Sequence, residues 1–311
     1  MKRHFISVLT FVLLTTAIAS AQLRLPRPSQ KASVMQTIGV TDLTITYSRP
    51  AVKDRKIWGN WPTSEKGEAT LDNQNTRPKD AVIVPYGHVW RTGANEATQF
   101  VVTDDCMING QKLAAGSYSL HTIPGKDEWW IVFNGTANQW GSFNYDPAKD
   151  TLRVKAKPQW VKDNQETLLF NFDPVTDNSA TVNIRWEKIR VPFTVTVDTV
   201  ATAMAKARPL VAAAKADDWR IRYQVGSFAM DNKLTDEGMR LLTEALAIAD
   251  ESIKTKETWG NLSARANILL SMGRKEDGFA AADKAITFGK ANKADTSGLE
   301  KRVADIKAGK Q

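Results

Sequence analysis

Cysteine is almost absent. Cys106 is the only one in 311 residues, so no intrachain disulfide can form and stability must come from a hydrophobic core. Its place in a strand-like run predicts a buried, inert thiol. Histidine is nearly as scarce. Of three, His4 falls in a leader described below, which leaves His88 and His121, and neither has a metal-ligand spacing such as His-x-x-x-His. There is no Gly-x-Ser-x-Gly elbow and no phosphate-cradling glycine loop. The formal charge is +8, but lysine and arginine never gather into a block, which argues against nucleic acid as a partner. These shortages lean away from catalysis and imply no cofactor and no resident metal.

What is present begins at the N-terminus. Lys2 and Arg3 form a basic start, Ile6 to Ile18 is apolar apart from hydroxyl residues, and Ala19-Ser20-Ala21 is a small-x-small cleavage pattern. Residues 1–21 are therefore expected to be a signal peptide cut between Ala21 and Gln22. The apolar run is short for the roughly 20 residues of a bilayer span, so the expectation is an exported chain, periplasmic or extracellular, with no transmembrane segment after cleavage. No cysteine stands at the cleavage point directly after the apolar run, which argues against a lipid-modified start.

Two hydrophobic periods divide the remainder. From residue 42 to 197 apolar residues alternate, as in half-buried strands, within a domain expected to span residues 22–197. Leu43, Ile45 and Tyr47 make one such face. So do Trp129, Ile131 and Phe133, then Leu168, Phe170 and Phe172, then Val182, Ile184 and Trp186, then Val191 to Val197. Turn signals at Asn109-Gly110, Pro124-Gly125, Asn134-Gly135 and Asp173-Pro174 separate them. Nine or ten short strands without helical crossovers predict an antiparallel all-β sandwich or barrel-like domain. Residues 60–80 lack a period and read as a surface loop. From residue 198 to 311 the period is helical and alanine-rich. EGMRLLTEALAI from Glu237 overlies DGFAAADKAITF from Asp277, with Gly238 on Gly278 and Ala245 on Ala285. Small residues at that spacing let helices approach closely, so a helix-hairpin repeat domain is expected. SMGRKEDGFAAADKAI resembles half of a tetratricopeptide repeat, which implies that the tail either caps the β domain or takes a protein partner.

Three segments carry polar residues unusual for strands: Tyr47 to Arg55, His88 to Glu96, and Trp140 to Asp146. YSRPAVKDRKIWG, VPYGHVWRTGANEAT, LAAGSYSLHTIP and WWIVFN, in this order, resemble a secreted bacterial family known as domain of unknown function 2911, over about residues 29–197. The resemblance implies an exported all-β domain in which the first two blocks are hallmarks, and the loop at 60–80 looks like an insertion. It carries no established activity.

The chemistry must come from the residues. Arg49, Arg55 and Arg91 each offer a planar fork of donors suited to carboxylate, phosphate or sugar hydroxyls. Glu96 is the expected partner of one of them, because a buried arginine left alone costs about 3–5 kcal/mol. Gly93 is expected to supply a positive φ or a close backbone approach. Eight of the ten tryptophans lie between Trp58 and Trp186. Trp58, Trp61 and Trp140 are candidate platforms for a sugar ring, while at least one of Trp129 and Trp130 belongs to the core. The expected ligand site comprises Arg49, Arg55, Arg91, Asn95, Glu96, Trp140, Tyr145 and Asp146, for a small polar or carbohydrate ligand. One alternative is a hydrolase or metal-assisted enzyme built on His88, His121 and a carboxylate such as Glu96. Another is a structural envelope protein.

Overall fold

A computed structural model describes residues 25–60 and 82–310. The expected signal peptide with its Ala21–Gln22 cleavage point, nearly all of the 60–80 segment, and Trp61 lie outside the described residues.

Alternating apolar residues become two antiparallel sheets. The first joins β1 (Gln30–Ile38), β2 (Thr41–Arg49), β5 (Thr98–Val102), β8 (Gly116–Ile123), β9 (Trp129–Asn134) and β10 (Asp150–Ala156), in that spatial order. The second joins β11 (Gln159–Val175), β12 (Ser179–Thr196), β6 (Cys106–Ile108) and β7 (Gln111–Leu113). Their inner faces share one core, with Leu43, Ile45, Phe100 and Phe133 on one side and Phe170, Ile184, Trp186 and Phe193 on the other. Each such side chain, fully buried, contributes roughly 1.5–3 kcal/mol. The sheets form a sandwich and do not close into a barrel. A short pair, β3 (Trp58–Gly59) with β4 (Val84–Pro85), is parallel, an exception to the antiparallel expectation.

Local chemistry explains the turns. Asn109 and Gly110 both have positive φ and join β6 to β7, the backbone a tight hairpin requires. Asp173-Pro174 does not separate two strands; it lies within β11, and the chain turns at Thr176 to Asn178 instead. The runs ending at Trp186 and beginning at Val191 are likewise one strand, β12, which bends where Glu187 takes a φ of 53° opposite a register shift in β11. A bulge bends a strand without ending it, and the alternating pattern does not distinguish the two.

Six helices follow: α1 (Thr199–Ala213), α2 (Trp219–Asp231), α3 (Thr235–Thr255), α4 (Trp259–Ser271), α5 (Lys275–Ala291) and α6 (Ser297–Lys307). Helices α2 and α3, and α4 and α5, form two hairpins whose turns hold Lys233 and Gly273 at positive φ. A Cβ at Gly238 would stand 2.8 Å from Met230, and one at Gly278 would stand 2.6 Å from Leu270, so glycine is needed at both crossings. Helix α1 ties the tail to the sheets. Lys206 binds Asp104 at 2.7 Å, and Thr199 donates to the Asp177 carbonyl.

Candidate functional site

The stretch from Val84 to Phe100 threads between core and surface. Trp90 exchanges backbone hydrogen bonds with Thr122 at 2.8 and 2.9 Å, which sends its ring inward. There it stacks on Trp186 at 5.7 Å and meets Trp58 edge-on. Trp58 also meets Trp129 at 5.1 Å. Gly93 presses against the Ser48 carbonyl, where a Cβ would lie 3.0 Å away. The positive φ angles belong instead to Thr92 (52°) and Asn95 (60°). Thr98 Oγ1 donates to the Thr92 carbonyl at 2.8 Å and holds the first of these.

Period-2 geometry puts Ser119 and His121 of β8 on the outer face of the six-stranded sheet, beside Asn134 of β9 and Arg153 of β10. The segment between β9 and β10 folds over them. Gln139 Nε2 stands 2.9 Å from Ser119 Oγ, 3.2 Å from His121 Nε2 and 3.2 Å from the Thr136 carbonyl. His121 Nε2 is also 3.2 Å from Ser119 Oγ, and its ring meets that of Tyr145 at 5.0 Å. His121 is fully buried, and its Nδ1 finds no hydrogen-bond partner among the described residues. A protonated ring needs an acceptor at each nitrogen. Burial, and then the positive charge of Arg91, accordingly push its pKa down to about 3. The Tyr145 hydroxyl donates to Asp150 at 2.6 Å, and Arg153 Nε donates to the same oxygen at 2.6 Å. Burial, followed by the hydrogen bond to and the charge of Asp150, raises the tyrosine well above its usual value.

Next to this network the outer face opens. Backbone bonds from Ala97 to the Gln139 carbonyl and from Gly141 to the Asn95 carbonyl, 3.0 Å each, lay Trp140 beside Glu96. A cleft of about 290 Å³ lies between them and β2, lined by Lys31, Thr46, Ser48, Gln99, Asn138 and Gln139 as well. A second cavity of about 500 Å³ adjoins it; Lys31 and Glu96 line both, and Leu25, Pro26, Arg27 and Gln30 complete the second. Trp140 is 52% exposed, and Gln139 Oε1 is buried without a partner among the described residues. Arg27 Nη1 donates to Glu96 Oε1 at 2.7 Å. Burial alone would raise the Glu96 pKa. The Arg27 and backbone hydrogen bonds, with the charges of Arg27 and Lys31, outweigh it and hold the carboxyl below its ordinary value.

Of the expected site residues, the structure brings Arg91, Asn95, Glu96 and Trp140 together, with Tyr145 behind them against His121. The others lie elsewhere. Glu96 pairs with Arg27 and not with a hallmark arginine, because its turn faces the segment before β1. Arg91 instead donates to the Asn95 carbonyl at 2.8 Å and braces the turn. Arg49 crosses to the second sheet, donating to the Leu168 carbonyl and Thr167 Oγ1 at 2.8 Å each. Arg55 donates to the Val52 and Ala51 carbonyls of its own loop. Asp146 caps the short 3₁₀ turn Pro147–Lys149 through the Ala148 amide at 2.9 Å. Trp58 is core rather than platform, whereas Trp130 sits at the surface under Lys155 while Trp129 is fully buried. His88 is buried two residues before Trp90, and no group of three or more histidine, cysteine, aspartate or glutamate residues among the described ones is placed to hold a metal. Cys106 is buried, as expected.

Arg27, Lys31, Gln99, Ser119 and Gln139 were not among the expected site residues. Ser119 had a signal, since it lies two residues from His121 on one strand face. A larger cavity, about 840 Å³, lies among the helices beside Trp219, Ile248, Lys256 and Asn261. Arg220 covers the Trp219 ring at 4.8 Å, and Asp217 and Glu251 offset Arg220 and Lys256, so no unbalanced charge marks a ligand there.

No curated protein and no solved structure matches the chain. One family model, described as "Protein of unknown function (DUF2911)", matches residues 29–195, which runs from just before β1 almost to the end of β12 and takes in both sheets and the cleft. With more than half of its length covered, the chain belongs to the DUF2911 family.

Proposed function

We propose that the chain is an exported, non-catalytic binding module whose outer-face cleft takes a small polar ligand, with a sugar or other polyol as the chemical class. The observation that carries this reading is the half-exposed Trp140 at the rim of a polar cleft. An indole face packs against the apolar face of a sugar ring, and aromatic contacts of this kind add about 0.5–1.5 kcal/mol beyond the area they bury. Hydroxyls find acceptors in the unpartnered Gln139 Oε1 and in Glu96, and a donor in Lys31. The cleft lies near the lower end of the roughly 300–1,000 Å³ common for ligand sites, which favours one or two rings. Catalysis has less support. His121 is neutral and fully buried, and Ser119 beside it is held by the Gln139 amide. Export rests on the basic start, short apolar run and small-x-small pattern of residues 1–21.

Isothermal titration of the chain beginning at Gln22 with a panel of mono- and disaccharides tests the reading. Saturable binding that Trp140→Ala weakens about tenfold is the expected result. Failure of every saccharide to bind, or binding that ignores Trp140→Ala, would sink it.

A further inference from the structure

The contacts of Arg27 point to a more specific chemistry at the mouth of the cleft. Its guanidinium carbon stands 5.5 Å from the centroid of the Trp140 ring, over the face, while Nη1 reaches Glu96 Oε1 at 2.7 Å. A negative π face beside a carboxylate is the combination that recognises a guanidinium or ammonium group. Arg27 does not come from the sheet that builds the cleft; it comes from the segment just ahead of β1. Nor does it use the whole carboxylate. Glu96 Oε2 is buried and has no hydrogen-bond partner among the described residues. A guanidinium offers parallel N–H donors to both oxygens of a carboxylate, so the end-on contact of Arg27 leaves half of this recognition unmade.

We propose that Glu96 and Trp140 form a subsite for a cationic group on the ligand, guanidinium or ammonium, and that Arg27 occupies it in cis when no ligand is bound. Lys31 fixes the order of events. Its charge already acts on Glu96 and it lines both cavities, so an incoming cation replaces Arg27 and does not join it. Release of Arg27 is easy, because the Arg27, Glu96 and Trp140 side chains are all about half-exposed and contacts of that kind are individually weak. The proposal relies on the sugar reading only for the ligand's polar body; the subsite itself stands on the contacts of Arg27.

The test titrates L-argininamide, as a small guanidinium probe, into the chain beginning at Gln22 and into its Arg27→Ala and Arg27→Gln variants, all confirmed as folded by melting curves. Both variants are expected to bind the probe saturably, and the unaltered chain about five- to tenfold more weakly, in line with a few exposed contacts to displace. Adding Glu96→Gln or Trp140→Ala to the Arg27→Gln chain is expected to abolish binding. Two results would overturn the proposal: no saturable binding by either folded variant, or binding that Glu96→Gln leaves unchanged. Maltose, titrated into the same chains, separates the two readings. Maltose without effect beside bound argininamide removes the sugar and keeps the cationic subsite, and the converse removes the subsite alone.

Discussion

A buried histidine held neutral makes a fold sensitive to acid by an amount that can be worked out. In the unfolded chain His121 titrates near 6.5. In the fold, burial first and the Arg91 charge second lower that to about 3. The unfolded state therefore binds a proton that the native state refuses. The stability from this group is complete above about pH 6.5, and it is lost progressively as the pH falls from there toward 3. The slope is about 1.4 kcal/mol per pH unit, so about 2–3 kcal/mol is gone at pH 4.5. Carboxylates also lose native interactions in acid, and a difference measurement removes them. His121→Phe keeps an aromatic ring against Tyr145, cannot titrate, and leaves every carboxylate in place. Urea unfolding of both chains from pH 7.5 to 4.5 gives two stability curves. The native chain is expected to lose about 2–3 kcal/mol more than the variant over that range. Parallel curves would show that His121 accepts a proton in the fold without cost, and the argument from its surroundings would fail.

Other perturbations separate struts from site. Arg49→Ala removes two hydrogen bonds between the sheets, at about 1.5–3 kcal/mol each for bonds to a charged group before relaxation, and calorimetry should show Tm lower by several degrees. Saccharide affinity of the same variant should not change, since the guanidinium faces the second sheet and not the cleft. Cys106, buried and with its thiol pushed up to about 12 by burial and then by Asp105, should resist iodoacetamide at pH 8 until denaturant is added, as mass spectrometry can follow. At the cleft, Trp140→Ala should weaken any bound saccharide, and Arg27→Ala should strengthen the binding of a guanidinium probe.

The architecture was legible because it rests on periodicity. Alternation in the first part and a helical period in the second follow from which face each residue must bury, and the sheets and six helices realise both. The repeat between Glu237 and Asp277 was readable for a local reason: glycine at each crossing is demanded by a neighbouring side chain within 3 Å. What escaped was the joining of elements. Extra residues in β11 opposite Glu187 interrupt the ladder without ending β12, so two expected strands are one, and Asp173-Pro174 lies within β11 at a register irregularity without ending it. Neither feature alters the alternating pattern, so the pattern could not reveal them. The parallel pairing of β3 with β4 escaped for a different reason, since strands of two residues have no period to read.

The site was legible only in part, and the arginines show why. Leu43, Ile45, Tyr47 and Arg49 occupy alternate positions of β2 and so share its inner face. Tyr47 and Arg49 then do for the second sheet what their polar tips allow. The Tyr47 hydroxyl accepts from the Phe170 amide at 3.1 Å, and Arg49 reaches Thr167 and Leu168. The period-2 rule assigns Arg49 to that face, and a guanidinium of inward parity suits a strut between the sheets. Ser48, with the opposite parity, lines the cleft. The same rule placed Ser119 beside His121. It could not place Arg27, Lys31 or Gln139 beside Glu96, because those meetings depend on how two irregular segments fold back on the sheet. A hydrogen bond from Gly141 to Asn95 and another from Ala97 to Gln139 decide that geometry, and both use backbone groups that every residue carries. A charge that serves the fold is therefore visible in this sequence through its strand register. Glu96 becomes readable as a candidate site residue only once the loop that carries its neighbours has been placed.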